Sequence, residues 1–138
     1  MSIGGVNLKV YEANQYDPLK SYLMCYPVNF KLTDKNNIYY NSINYELLYK
    51  QYNNFLDALI DENIKIKFIN INKSSAQVFT KDIGFVVNDI FFICNLKKEE
   101  RKVETETLKR FILDNNIRYY EMQSNIEGGD VLYHGNVL

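Results

Sequence analysis

The stretch that decides the fold is Val78-Phe79-Thr80-Lys81-Asp82-Ile83-Gly84-Phe85-Val86-Val87-Asn88-Asp89-Ile90-Phe91-Phe92-Ile93-Cys94. Residues 83–87 and 90–94 are rich in β-branched and aromatic side chains, and Asn88-Asp89 between them suits a tight turn. The stretch therefore predicts a β-hairpin. Asp82 stands at its mouth, wedged between Phe79 and Ile83. A carboxylate in such surroundings needs a partner, because burying it unpaired is costly. Taken alone, Asp82 reads as a turn or capping acid.

The chain repeats this design. Residues 126–138 run Ile126-Glu127-Gly128-Gly129-Asp130-Val131-Leu132-Tyr133-His134-Gly135-Asn136-Val137-Leu138, again acid, apolar strand, polar turn and the start of a second strand. Asn136 follows Asp130 by six positions, as Asn88 follows Asp82. Each hairpin is preceded by a helical pattern and one strand, so the repeated unit reads helix, strand, acid, hairpin.

Working outward, residues 1–20 are irregular, with Asp17-Pro18 marking a turn. Ser21 to Val28 is an apolar run suited to a buried strand that Pro27 stops. Residues 29–41 form a polar loop, and Asn41-Ser42 supplies helix-capping chemistry. Apolar residues at 43, 47, 48, 52, 55, 56, 59 and 60 then trace a helical stripe, which reads as core and not as a cofactor box. Ile64 to Ile69 alternates apolar and basic residues, a strand with one wet face. Residues 97–102 are a mixed charge run opening a second helix, with solvation as its ordinary explanation. Val103, Thr107, Leu108, Phe111 and Ile112 form that helix's buried face, Asn115-Asn116 closes it, and a strand over 117–122 leads through residues 123–125 to Glu127. No linker or low-complexity tract divides the chain, so residues 1–138 read as one domain of α/β class.

Composition bounds the function. Apolar residues at 46% and aromatics at 14% describe a globular chain. Sixteen basic against 17 acidic residues, a net charge of −1, give no electrostatic footprint for nucleic acid or an anionic membrane. No apolar run approaches spanning or secretory length. Cys25 and Cys94 lie in apolar strand patterns without Cys-x-x-Cys spacing and read as buried free thiols in a reducing, cytoplasmic compartment. No metal or cofactor is expected.

Phe79-Thr80-Lys81-Asp82, Arg101 and Glu104 at the head of a helix, and Glu127-Gly128-Gly129-Asp130 together resemble the amino-terminal half of the guanidine-modifying enzymes. That superfamily holds dimethylargininases, arginine deiminases and arginine:glycine amidinotransferases. The resemblance runs from about residue 64 to the end, with weaker agreement over the first strand and helix. It implies a pentein-type α/β propeller of pseudo-fivefold symmetry, of which this chain would be two and a half ββαβ blades. The second hairpin has only Val137-Leu138 beyond its turn, where the first has five residues, so an open sheet edge is expected. Such an edge suits a homodimer or a complementing carboxyl-terminal half.

The resemblance also implies roles. Asp82 and Glu127 would contact the guanidinium of a small-molecule substrate, and Glu127 would assist proton transfer. A carboxylate accepts two parallel donors from that planar cation, so two facing acids would hold it rigidly. Gly128 and Gly129 would let the backbone turn so that Glu127 points inward. Phe79 would wall the site, Asp130 would chiefly fix the turn, and Arg101 would meet the substrate's α-carboxylate or lie on the surface. The family's cysteine nucleophile and histidine acid–base have no counterpart here. His134 reads as a turn residue, and Cys94 as distant from the acids. Lys81 stands where many relatives carry another charged residue, either Arg or an acid, and the compact path to Asp82 favours the dimethylargininase-like branch. Alternatives are the amidinotransferase or deiminase branch, or a non-catalytic propeller-type binding module.

Overall fold

Two asparagines set the rhythm of the chain. Asn63 and Asn116 adopt φ values of 59° and 52°, the left-handed region in which Asn is the most tolerant residue after Gly. Each ends a helix in the same way: Asn63 N–H donates to Ile60 O and Ile64 N–H to Leu59 O, while Asn116 N–H donates to Leu113 O and Ile117 N–H to Ile112 O. This paired closure satisfies the last helical carbonyls and turns the chain straight into a strand. The structure, a computed structural model, describes residues 8–134 and 137.

Helix α1 (Tyr45–Asp61) links strand β1 (Ser21–Met24) to the parallel strand β2 (Lys65–Phe68), with Tyr22 opposite Ile66. Helix α3 (Lys102–Asp114) links strand β4 (Ile90–Asn95) to the parallel strand β5 (Tyr119–Asn125), with Phe92 opposite Tyr120. A parallel pair needs such a crossover, so the two units are copies of one design. A short helix α2 (Thr80–Ile83) runs into strand β3 (Gly84–Val87), which pairs antiparallel with β4 to form the predicted hairpin. Asn88, at φ 52°, supplies the positive value that its turn requires. The sheets are therefore β1-β2 and β3-β4-β5.

Several boundaries differ from the sequence reading. The cap of α1 is Asn44, whose Oδ1 accepts from Leu47 N–H at 3.0 Å, and not Asn41-Ser42. Residues 123–125 extend β5, because a register shift after Ile93 lets Asn95 pair with Asn125. On α3 the fully buried positions are Glu104, Leu108 and Ile112, with Val103, Thr107 and Phe111 only half-buried. The turn at Gly135-Asn136 in the second hairpin lies outside the described residues. His134 and Val137 on either side of it form a bridge. No helix among the described residues is long and apolar enough to cross a membrane.

The core lies between α3 and the three-stranded sheet, where Ile83, Leu96, Leu108 and Ile112 are at most 1% exposed. Cys25 and Cys94 are buried in the same core as free thiols. Burial pushes Cys25 up to about 11, with the charge of Glu104 adding to it. It pushes Cys94 up to about 12. A thiol reacts as its thiolate, so at pH 8 only about one Cys25 in a thousand is competent. Both thiols are expected to react with a disulfide reagent at pH 8 orders of magnitude more slowly in the native chain than in urea. Equal rates in the two conditions would contradict this packing.

Candidate functional site

Glu104 is the anchor of the site. It lies on the apolar stripe of α3, one helical turn ahead of Leu108 and two ahead of Ile112, and is fully buried. An acid there requires charge compensation and hydrogen bonds on both oxygens. Arg101, in the 3-10 turn Glu99–Arg101 just ahead of α3, donates from Nε to Glu104 Oε1 at 3.0 Å and from Nη2 to Oε2 at 2.9 Å. Ser74 Oγ donates to the same Oε1 at 2.5 Å. The guanidinium and carboxylate thus meet as a two-pronged pair, the strongest form of such a contact.

The remaining edge of Arg101 faces two more acids. Its Nη1 donates to Asp82 Oδ2 at 3.1 Å and lies 3.8 Å from Glu127 Oε2. Arg101 is only 8% exposed, so it is no surface residue of a charge run. Its neighbours were hidden in sequence because they come from three separate segments. Burial alone would lower its pKa, but the hydrogen bonds and charges of Glu104, then of Asp82, carry it above its ordinary value.

Asp82 and Glu127 reach this point from two turns pressed together. Asp82 is in α2, and Glu127 precedes the 3-10 turn Gly128–Asp130. Gly128 is buried against α2, where an added Cβ would collide with Lys81 O and lie 2.9 Å from Gly84 O. A Cβ on Gly129 would sit 2.9 Å from Asp82 Oδ1. Gly128 is therefore required by close approach of two backbones, not by a left-handed turn, whereas Gly129 faces the Asp82 side chain. The two acids are not equivalent positions of the repeat. Ile83 and Phe85 after Asp82 are buried, as are Val131 and Tyr133 after Asp130, so Asp82 corresponds to Asp130 and Glu127 to Phe79.

The other expected residues take varied places. Phe79 is 51% exposed and meets Phe30 edge-on, with ring centroids 5.9 Å apart. Phe30 comes from the 29–41 loop, whose sequence carries no signal for this contact. Asp130 is exposed, and the turn is closed by its backbone N–H donating to Glu127 O at 3.0 Å. Cys94 is not distant from the acids. After burial, its thiol feels a hydrogen bond from the Gly128 backbone and the charge of Lys81, which lower its pKa, and the charges of Asp82 and Glu127, which raise it. His134 lies beside Tyr16, with ring centroids 5.4 Å apart.

Around one guanidinium there are thus three carboxylates. Glu104 takes two of the donor nitrogens of Arg101, and Asp82 and Glu127 share the third. Asp82 and Glu127 remain partly open, their side chains 25% and 37% exposed. Glu104→Ala is expected to strand the buried cation and cost about 3–5 kcal/mol of unfolding free energy. Asp89→Ala, which breaks the exposed pair with Arg118 Nη1 at 3.1 Å, is expected to cost less than about 1 kcal/mol. Urea unfolding checks the contrast, and similar losses for the two would contradict it.

Residues 27–135 match the family described as N,N dimethylarginine dimethylhydrolase, eukaryotic. The uncharacterized protein YkgA of Bacillus subtilis (strain 168) is 25% identical over 131 residues, which cover 90% of this chain and 46% of that protein. A dimethylarginine dimethylaminohydrolase adduct with S-methyl-L-thiocitrulline superposes with a TM-score of 0.67 at 18% identity, over 86% of this chain and 48% of that one. The N-terminal domain of ArgZ bound to product, an arginine dihydrolase from Cyanobacteria, gives 0.65 at 20% identity, over 86% and 43% of the two chains. AgrE with ornithine and NAD+ gives 0.65 at 20% identity, over 83% of this chain and 17% of that one. These likenesses show a shared mixed α/β fold, and this chain spans less than half of each of these relatives. With the match extending over most of its length, the chain belongs to the N,N-dimethylarginine dimethylhydrolase family.

Proposed function

We propose that this chain supplies the guanidinium-holding part of a hydrolase acting on arginine-type substrates, as in dimethylargininase conversion of a methylated arginine to citrulline and an amine. The observation that carries the reading is the sharing of Arg101 Nη1 by Asp82 and Glu127. Two part-exposed carboxylates with a fraction of one cation between them are set to accept a second, planar one. Asp82 Oδ2 is held from behind by Arg101, and the acids' other oxygens are the ones assigned to substrate. Arg101 is thereby engaged by the protein's own acids instead of standing free for an α-carboxylate. Phe79, with Phe30 against it, walls one side.

Family chemistry needs a thiolate to attack the guanidinium carbon. The C–S bond forms, the C–N bond to the departing amine breaks with a proton supplied by a general acid, and water then releases the thiolate and the ureido product. Cys25 and Cys94 are buried with raised pKa values, so neither is assigned the attack. The nucleophile and the histidine acid–base are assigned to a carboxyl-terminal part of the protein or to a complementing polypeptide. In that reading the two described units belong to a five-bladed ring of which this chain forms two and a half blades, working in the cytoplasm. Glu127, the more exposed acid of the pair, is the one assigned to proton transfer.

The test is reconstitution with a carboxyl-terminal half carrying Cys and His, with citrulline formation from asymmetric dimethylarginine as the readout. Asp82→Ala and Glu127→Ala are each expected to lower kcat/KM by at least about a hundredfold, the scale lost with one electrostatic contact to a reacting group. A reconstituted protein inactive on methylated arginines and on arginine, or one indifferent to both substitutions, would refute the reading.

A further inference from the structure

A cavity of about 460 Å³ is lined by residues of both sheets and lies apart from the acid site, since Asp82, Arg101 and Glu127 do not line it. Its volume is that of a small-molecule site. Phe91 at its base is buried, and Leu8, Val10, Leu23, Val86 and Phe111 on its sides pack against the core. One wall is the segment 8–15. Leu8 N–H donates to Asn115 O at 3.2 Å, and Glu12 and Asn88 exchange backbone bonds of 3.0 and 2.7 Å. Tyr133 Oη donates to Glu12 O and Gln15 Nε2 to Val131 O, both at 2.8 Å. The wall is thus tied along its length, and the cavity is bounded by structure.

Three lysines line the same cavity: Lys9 from that wall, Lys20 just before β1, and Lys67 on β2, opposite Leu23 in the register. All three are exposed, and among the described residues none of them forms an ion pair. One lysine with its stem along apolar surface is ordinary. Three from separate segments around one apolar space, none neutralised by a contact, make a cationic mouth. Glu12 and Asp17 also line the cavity, which leaves cations in excess. Burial raises the pKa of Glu12, Lys81 lowers it and Asp17 raises it, so the two acids feel each other and a lysine that does not line the cavity. The lining includes no arginine, so a phosphate finds no forked partner, whereas ammonium groups suit a single point charge.

We infer that this cavity is a binding site for a monocarboxylate with an extended apolar body, of fatty-acid type, the body lying between β1 and the β3-β4 hairpin and the carboxylate meeting Lys9, Lys20 and Lys67. The site is independent of the reading of Asp82 and Glu127. Burial of the chain supplies the affinity, and the lysines select an anion over a neutral molecule of the same shape.

The test is titration of the 138-residue chain with octanoate, decanoate and decanol below their micellar concentrations, followed by amide chemical shifts. Decanoate is expected to move Leu23, Val86 and Phe91 along one saturating curve. It is expected to bind about fifteenfold more tightly than octanoate, the factor of two buried methylenes. It is also expected to bind at least about tenfold more tightly than decanol, the factor of one charge-assisted contact. Lys9→Gln, Lys20→Gln and Lys67→Gln combined are expected to abolish the preference over decanol. Ser21→Trp, which fills the cavity from an exposed position, is expected to abolish binding of both. Decanol binding as tightly as decanoate, a preference that survives the triple substitution, or binding that survives Ser21→Trp would overturn the inference. So would shifts confined to exposed apolar residues such as Leu47 and Phe55 of α1. A dimer that Ser21→Trp dissociates and decanoate does not would make the cavity an interface between copies and overturn it too, as would a complementing carboxyl-terminal half that excludes decanoate.

Discussion

A buried guanidinium holds this structure together and defines its site. Arg101 must be compensated because it lies almost out of water, and Glu104 must be compensated because it lies wholly so. Their two-pronged pairing satisfies both, and Ser74 completes the coordination of the acid. What is left of the cation then draws Asp82 toward it and leaves Glu127 within reach. The same interaction that pins the start of α3 to α2 therefore also presents two carboxylates side by side.

The construction explains why small residues occur where they do. The turn carrying Glu127 can reach the turn carrying Asp82 only if backbone meets backbone, and Gly128 is the point of contact. A side chain there would separate the acids by about the width of a methyl group, enough to break a shared geometry. Gly84 makes a comparable approach at the start of β3, where an added Cβ would lie 2.8 Å from Phe92 O. Site geometry and sheet packing are thus set by the same few positions.

Much of the fold was legible in the chain itself. The hairpin at Asn88-Asp89 follows from two β-branched runs and a turn residue that tolerates positive φ. Both crossover helices and their Asn closures follow from periodicity and local chemistry. The site was less legible. Lys97 to Lys102 looks solvated because two of the acids that meet Arg101 lie at positions 82 and 127, and proximity over such separations is not written in spacing. Glu104 alone left a trace, an acid aligned with Leu108 and Ile112 on an apolar stripe. Cys94 is brought under the acids by α2 and the Gly128 turn packing over β4, which the repeat pattern could not supply. The repeat spacing pairs Asp82 with Asp130, and burial of the side chains that follow each of them agrees.

The central claim is that Asp82 and Glu127 act on one cation as a single unit. Carboxyl-carbon NMR of the chain during titration with methylguanidine tests it most directly, because each acid reports separately. The account predicts that the Asp82 and Glu127 signals move together along one binding curve while exposed acids such as Asp89 stay still. Movement of only one of the two, or of two curves with different midpoints, would contradict it.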